Sequence, residues 1–261
     1  FAVIQTGTIA AVGVAFAKFA AYLFPVLSED NKILKIPIGI DACSQTTFFS
    51  ISVAQVTSII IIIFLTYTNT KGVKGGKLIQ NTFTSAKLLS LFGLILAGAF
   101  VFNVDVWNAN WQNAWMATKT FAVDACNPDA GFDITSISGT VLLGGIAAAM
   151  VGSVFSSDAW NNVTFIAGEM KNPQRNIGLS LFLGTLIVTI IYVSANLTYL
   201  AVLPLDEIAH APKDRVAVAA SQAIFGSFGT VIIAIMIMIS TFGCNNGLIL
   251  AGARVYYTMA E

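Results

Sequence analysis

Long apolar runs alternate with short polar connections along the whole chain. Six of these runs could cross a bilayer, since a spanning helix needs roughly 20 mostly apolar residues. They lie at about 1–25, 46–69, 83–104, 136–170, 177–203 and 223–252. Each run is continuously apolar, whereas membrane strands alternate over about 10 residues, so the pattern predicts helices. We therefore predict an all-α polytopic membrane protein, with one transmembrane domain over 1–261.

Composition supports this class and excludes several others. The chain has 261 residues, of which 56% are apolar and 10% charged, whereas a soluble domain has about 25% charged residues. Thirteen acidic residues balance thirteen basic ones, so we expect lipid around the chain and no nucleic acid partner. The three cysteines are scattered, without a CxxC pair, so no metal site and no cofactor is expected.

The charged residues indicate how the chain is oriented. The connections after the second, fourth and sixth runs are rich in Lys and Arg, whereas the other three hold ten acids against five bases. By the positive-inside rule, the first set is cytoplasmic. The first run therefore begins on the cytoplasmic side. In one outer connection, Trp107, Trp111 and Trp115 favour an interfacial aromatic belt or short helix over a binding platform.

The stretch GSVFSSDAWNN, at 152–162, places polar residues inside the fourth run. An Asp at the centre of a spanning helix costs roughly 2.5 to 3.5 kcal/mol, so Asp158 must meet protein, water or a ligand. A single helix from Ile137 to Ala167 would be about 46 Å long, whereas the hydrocarbon core is about 30 Å thick. The favoured interpretation is a helix broken near 155–160, and the alternatives are a helix end that snorkels and a long tilted helix. Broken helices are typical of transporters of small polar substrates.

The same residues resemble a known family. FSSDAWNN followed by GEMKNPQRN resembles the sixth helix and following loop of the amino acid, polyamine and organocation (APC) transporter superfamily, especially its L-type amino acid transporter branch. FTSAKLLSLFGLILAGAF and STFGCNNGLILAGARVYY are similar to the family's fifth and eighth helices. The resemblance implies a partial LeuT-type inverted-repeat fold with a discontinuous helix around 153–160. It also implies a fragment that covers helices three to eight of twelve.

The resemblance implies roles for particular residues. Phe155 matches the aromatic side chain that closes over the substrate, and Asn246 matches a pocket asparagine. Interhelical hydrogen bonding is the alternative for Asn245 and Asn246. Lys87 matches a position near the ion site of sodium-coupled relatives, where its ammonium replaces the ion; a snorkelling anchor is the alternative. The remaining predicted substrate-binding residues lie in the unwound stretch and the start of the second half-helix: Ser156, Ser157, Asp158, Trp160, Asn161 and Asn162.

The implied function is secondary active transport of amino acids, as a permease or exchanger, by alternating access. The implied location is the plasma membrane, which is the inner membrane if the source is bacterial. A non-transporting subunit, a channel-like scaffold and a membrane-embedded enzyme are the alternatives; no catalytic pair of nucleophile and base is present, so we expect no enzyme. Cys43 lies in a loop unlike that of animal light chains, so we expect no heavy-chain partner.

Overall fold

Long helices joined by short connections and two β-hairpins make up the fold. The structure, a computed structural model, describes residues 2–40, 46–71, 73–112, 116–122, 132–156, 160, 162–164 and 172–260. The helices in these ranges are α1 (Ala2–Ala20), α2 (Val53–Thr70), α3 (Val73–Phe100), α4 (Val104–Gln112), α5 (Gly139–Ser156), α6 (Pro173–Val202), α7 (Leu205–Ala209), α8 (Val216–Phe225) and α9 (Ser227–Ala260). The strands are β1 (Lys32–Ile40), β2 (Thr46–Ser52), β3 (Thr118–Ala122) and β4 (Phe132–Ser136).

Five of the described helices are long and apolar enough to cross a membrane. Their apolar segments are Val3–Ala20, Val53–Thr70, Gln80–Phe100, Pro173–Val202 and Ser227–Tyr257. Helix α5 has a shorter apolar segment, Gly139–Val154. Large apolar side chains such as Leu89 and Phe182 are exposed on these helices. Such a surface is expected where helices contact lipid tails. The described part of the chain is therefore mainly helical, as the sequence predicts.

The hairpin of β1 and β2 departs from the sequence prediction. Residues 46–52 were assigned to the second span, but they form β2, and α2 begins at Val53. Isoleucine recurs at every second position in the second half of β1, which favours a strand. Ser52 then starts the helix at once, because its hydroxyl accepts the Gln55 N–H (3.4 Å) while Gln55 Oε1 accepts the Ser52 N–H (2.8 Å). This capping box fixes where α2 begins.

Helix α9 is the centre of the bundle and packs on α1, α2, α3 and α8. Glycines allow close approaches in this bundle, one between α1 and α2 and one between α9 and α3. A Cβ added to Gly13 of α1 would strike the hydroxyl of Ser58 in α2, and a Cβ added to Gly243 of α9 would lie 2.7 Å from Cβ of Phe83 in α3. Membrane helices commonly approach one another through such small residues. Larger side chains at these two positions would therefore force the helices apart.

The connection between α3 and α5 contains the short helix α4 and the antiparallel hairpin of β3 and β4. Trp107 and Trp111 lie on α4 with ring centroids 5.5 Å apart, and Trp115 lies outside the described residues. Asn110 joins α4 to the end of α6. Its Nδ2 donates to the carbonyls of Leu200 (2.8 Å) and Leu203 (2.9 Å). Its Oδ1 accepts the N–H of Leu205, at the start of α7 (2.8 Å).

A cluster of ion pairs joins the outer end of α1 to the connection between α7 and α8. Glu29 lies 2.7 Å from Lys18, 3.5 Å from Arg215 and 3.8 Å from Lys213. Asp30 lies 3.1 Å from Lys213. The hydrogen bond from Lys213 lowers the pKa of the Asp30 carboxyl. Opposite charges thus hold together two segments that are distant in sequence.

Candidate functional site

The end of α5 lies within the stretch where the sequence predicts a break. Helix α5 is described up to Ser156, and the residues directly after it, 157–159, lie outside the described residues. The next described residues, Trp160 and 162–164, have 3-10 rather than α-helical geometry. The backbone is therefore α-helical up to Ser156 and differs from an α-helix a few residues later. Three predicted site residues lie outside the described residues: Ser157, Asp158 and Asn161.

A cleft of about 530 Å³ lies between α3, α6, α9 and residues 162–163. This volume falls within the range of about 300 to 1,000 Å³ that small-molecule sites occupy. The polar side chains that line it are those of Gln80, Thr84, Lys87, Asn162, Ser240, Cys244 and Arg254. The other lining residues are Phe83, Leu88, Val163, Val188, Gly243, Gly247, Leu248, Leu250 and Ala251. The cleft is thus largely apolar, with a few polar groups.

One face of α3 supplies a polar wall of the cleft. Gln80, Thr84 and Lys87 follow one another at intervals of four and three residues, which places them on the same side of a helix. Gln80 Oε1 is buried and has no hydrogen-bond partner among the described residues. A buried amide oxygen without a partner is unfavourable, by about 1 to 3 kcal/mol. This wall therefore contains a cation and an amide oxygen that has no described partner.

One face of α9 forms the opposite wall. Gly243 and Gly247 allow α3 to approach: Cβ atoms at these positions would lie 2.7 Å from Phe83 and 3.2 Å from Gln80. From Gly243 to Gly247 the chain of α9 moves forward, while the contacted residue of α3 moves back from Phe83 to Gln80. The two helices are therefore antiparallel here. Lys87, one turn beyond Phe83, therefore lies deeper in the bundle than Gln80. From Ser240 to Arg254, the α9 wall extends about 21 Å along the helix axis.

The cleft brings together two of the predicted site residues. Lys87 and Asn162 both line it, although 75 positions separate them in the sequence. The charged residues among its described lining are Lys87 and Arg254. By the positive-inside rule, the end of α9 that contains Arg254 is cytoplasmic. The cleft therefore extends from the middle of the bundle towards the predicted cytoplasmic side.

Asn246 lies at a different place. Its side chain is fully buried, and its Oδ1 accepts a hydrogen bond from Asn69 Nδ2 in α2 (3.0 Å). The neighbouring Asn245 is also buried. With its amide oriented to suit its neighbours, Asn245 donates to the carbonyl of Ile9 (3.1 Å) and accepts the N–H of Gly13 (3.3 Å). Both asparagines thus join helices, the alternative that the sequence left open, and Asn246 is absent from the described lining of the cleft.

Several cleft residues were missed in the sequence. Gln80, Thr84 and Ser240 look like isolated polar residues in apolar runs, and Cys244 gives no metal or redox pattern. Their helical spacing was the available signal, since Gln80, Thr84 and Lys87 share one face and Ser240 and Cys244 share another. Trp160, by contrast, was predicted as a site residue, but its side chain is 59% exposed and is not among the described cleft residues.

A bundle of long apolar helices around a cleft lined by a few polar groups is typical of polytopic membrane transporters. The sequence agrees with this class. The sequence profile of the family described as amino acid permease matches residues 1–261, and the chain belongs to this family.

Curated relatives support the same family. The chain is 31% identical over 208 residues to the serine/threonine exchanger SteT of Bacillus subtilis (strain 168), with 80% of this chain and 41% of the relative covered. It is 24% identical over 259 residues to b(0,+)-type amino acid transporter 1 of Mus musculus (93% and 47% covered). It is 26% identical over 202 residues to large neutral amino acids transporter small subunit 2 of Oryctolagus cuniculus (77% and 34% covered). The chain thus spans less than half the length of these relatives.

These findings confirm the predicted family and its L-type branch. Together with the long apolar helices, they identify an integral membrane protein of the plasma membrane. The family is one of permeases rather than enzymes.

Proposed function

We propose that the protein containing this chain is a secondary active transporter that moves amino acids by alternating access. The observation that carries the proposal is the cleft between α3, α6 and α9, which brings Lys87 together with Asn162, a residue of the stretch where the sequence predicts a broken helix. The family supports it, and so do relatives that are named as amino acid transporters or exchangers. We propose exchange as the mode of transport because the Bacillus subtilis relative is named an exchanger.

The end of α5 offers a way to hold the substrate. The last four carbonyls of a helix have no intrahelical partner, and the C-terminal end of the helix is the negative end of its dipole. Within a membrane these carbonyls need donors from protein, water or ligand. The ammonium group of an amino acid is such a donor. In this proposal Ser156, Ser157 and Asp158 supply backbone acceptors, Phe155 closes over the substrate, and Trp160, Asn161 and Asn162 begin the second half-helix.

Three further assignments complete the proposal. Lys87 provides a fixed positive charge in place of a coupling ion, so transport does not require sodium. The transporter functions without a heavy-chain subunit, since the connection after α1 is folded into the hairpin of β1 and β2, unlike the short loop of animal light chains. Cys43 lies outside the described residues. Asn246 has a structural role, through its hydrogen bond to Asn69.

Uptake into proteoliposomes tests these statements. The full-length protein that contains this chain is purified alone, reconstituted, and offered a panel of radiolabelled amino acids, a sugar and a nucleobase. We expect saturable amino acid uptake that increases when the vesicles are preloaded with unlabelled amino acid. Uptake is expected to persist without a sodium gradient.

Phe155→Ala is the matched test of the site. We expect it to abolish uptake, while Phe182→Ala, which removes an exposed ring on α6, leaves uptake unchanged. Uptake of none of the amino acids by well-folded protein would contradict the proposed function. A requirement for a sodium gradient would contradict only the role of Lys87, and a requirement for a second subunit only the stand-alone assignment.

A further inference from the structure

The hairpin of β1 and β2 has one apolar face. In an antiparallel pair, residues directly opposite each other lie on the same face of the sheet. Two apolar pairs share this face: Leu34 with Ile51, and Ile36 with Phe49. Between them, Lys35 pairs with Ser50 on the opposite face, because successive side chains alternate. The middle of the hairpin is therefore apolar on one face and polar on the other.

The apolar face is open in the described part of the chain. Leu34, Ile36 and Phe49 are 44, 47 and 53% exposed, and β1 packs mainly on β2 among the described elements. Exposed apolar patches mark contact with a membrane or with another protein. The position of the hairpin relative to the spanning helices indicates which of the two applies here.

The base of the hairpin is fixed at the ends of two spanning helices. The N–H of Val53, the first residue of α2, donates to the carbonyl of Asn31, just before β1 (2.9 Å). Asn31 Nδ2 donates to the carbonyls of Pro25 (3.1 Å) and Val26 (2.9 Å), in the connection after α1. The apolar segments of α1 and α2 end at Ala20 and begin at Val53. Both strands therefore start at the surface of the apolar layer, on the side assigned to the outer face.

Distances along the chain show how the hairpin meets this surface. Phe49 lies four residues before Val53, which is about 13 Å along a strand. The headgroup layer on each side of a bilayer is about 5 to 8 Å thick. An upright hairpin would therefore hold its apolar face in water, whereas a hairpin that lies along the surface keeps this face in contact with lipid.

The surface of α2 indicates that lipid is the neighbour on this side of the bundle. Ile59, Ile60 and Ile63 are exposed on this spanning helix, as expected for a surface in contact with acyl chains. No loop residues separate β2 from α2. The apolar face of the hairpin is thus attached directly to a helix that contacts lipid.

We propose that the hairpin of β1 and β2 is an anchor on the membrane surface. It lies along the outer leaflet, with Leu34, Ile36 and Phe49 among the upper acyl chains of phospholipids. Lys35, on the opposite face, stays with the headgroups and water, as long cationic side chains do at membrane surfaces. The contact ties the outer ends of α1 and α2 to the bilayer surface. This inference is independent of what the protein transports.

Two neighbouring phenylalanines allow a test in the unmodified protein. Phe48 and Phe49 are 52% and 53% exposed, but they lie on opposite faces of the hairpin. The full-length protein, in nanodiscs of phosphatidylethanolamine and phosphatidylglycerol, is treated with hydroxyl radicals, and mass spectrometry measures the oxidation of each residue. We expect Phe48 to be oxidised several-fold faster than Phe49. Equal rates would overturn the proposal.

Spin labels distinguish lipid from a covering protein surface. Labels are attached to Ile36→Cys and Phe49→Cys in the full-length protein without its native cysteines, and Lys35→Cys and Ser50→Cys are the matched neighbours on the other face. At the first two positions we expect more frequent collision with oxygen, which concentrates in the bilayer, than with a water-soluble nickel chelate. The two neighbours should show the opposite preference.

Two results of the labelling would overturn the proposal. Frequent collision with the nickel chelate at all four positions would mean that the hairpin stands in water. Protection of Ile36→Cys and Phe49→Cys from both reagents would mean that another part of the protein, or a second protein, covers the apolar face. Variants that do not elute as a monodisperse species are left out, and the comparison of Phe48 with Phe49 in the wild type then decides.

Discussion

Asn110 provides a direct test of how the outer part of the protein is held together. Its side chain makes three hydrogen bonds of 2.8 to 2.9 Å to the backbone, two at the end of α6 and one at the start of α7. A hydrogen bond contributes about 0.5 to 1.5 kcal/mol. Because the site is only partly buried, water can replace some of these hydrogen bonds in the variant. We therefore expect Asn110→Ala to lower the free energy of unfolding by about 2 kcal/mol. For a domain of this size, that corresponds to a fall in Tm of about 4 to 8 °C.

Two further variants of α4 sharpen the test. Asn108→Ala removes an exposed asparagine from the same helix, so we expect almost no change. Asn110→Asp keeps the acceptor for Leu205 N–H but loses both donors and places a negative charge at the negative end of the α6 dipole. It should therefore be no more stable than Asn110→Ala. Thermal unfolding of the detergent-solubilised protein measures all three, and equal Tm values for Asn110→Ala and Asn108→Ala would refute the reasoning.

Two other predictions concern packing and pH. Gly243→Ala should lower stability by about 1 to 3 kcal/mol, because its Cβ would lie 2.7 Å from Phe83 Cβ; Gly252→Ala, with open space around its Cβ, should be neutral or stabilising in the same Tm measurement. The lowered pKa of Asp30 means that its hydrogen bond with Lys213 stabilises the fold fully above the usual value of 3.8 and progressively less as the pH falls through the lowered pKa. The Tm of Asp30→Asn should therefore fall less between pH 6 and pH 3 than the Tm of the wild type. An identical dependence of Tm on pH in the two proteins would contradict this role of Asp30.

The break near 155–160 stays a prediction from the sequence, and it rests on one dominant physical constraint. Asp158 cannot face lipid, and the run is longer than the membrane requires. The family resemblance then supplied Lys87, whose position in the cleft depends on packing between α3 and α9. Gly243 and Gly247, four residues apart, indicate that α9 packs closely on another helix, but the local sequence does not show which helix.

Other features depend on tertiary contacts that a local pattern does not reveal. Asn246 and Asn69 are 177 positions apart, so no local stretch of the sequence indicates that they form a hydrogen bond. The hairpin of β1 and β2 was missed because its strands have exposed apolar residues, such as Ile38 and Phe49, and resemble the edge of a span. The pairing of β2 with β1 keeps residues 46–52 out of the helix, and the capping box at Ser52 sets where the helix begins.

The junction between β2 and α2 has a practical consequence for imaging. A membrane protein whose mass lies mostly within the bilayer has few features outside its micelle that can guide particle alignment. The hairpin of β1 and β2 joins α2 at Ser52 without intervening loop residues, and a strand edge can accept an extended segment of an engineered binder. A nanobody selected against this hairpin would therefore be attached to a transmembrane helix through a short, hydrogen-bonded joint, and would report the orientation of that helix directly.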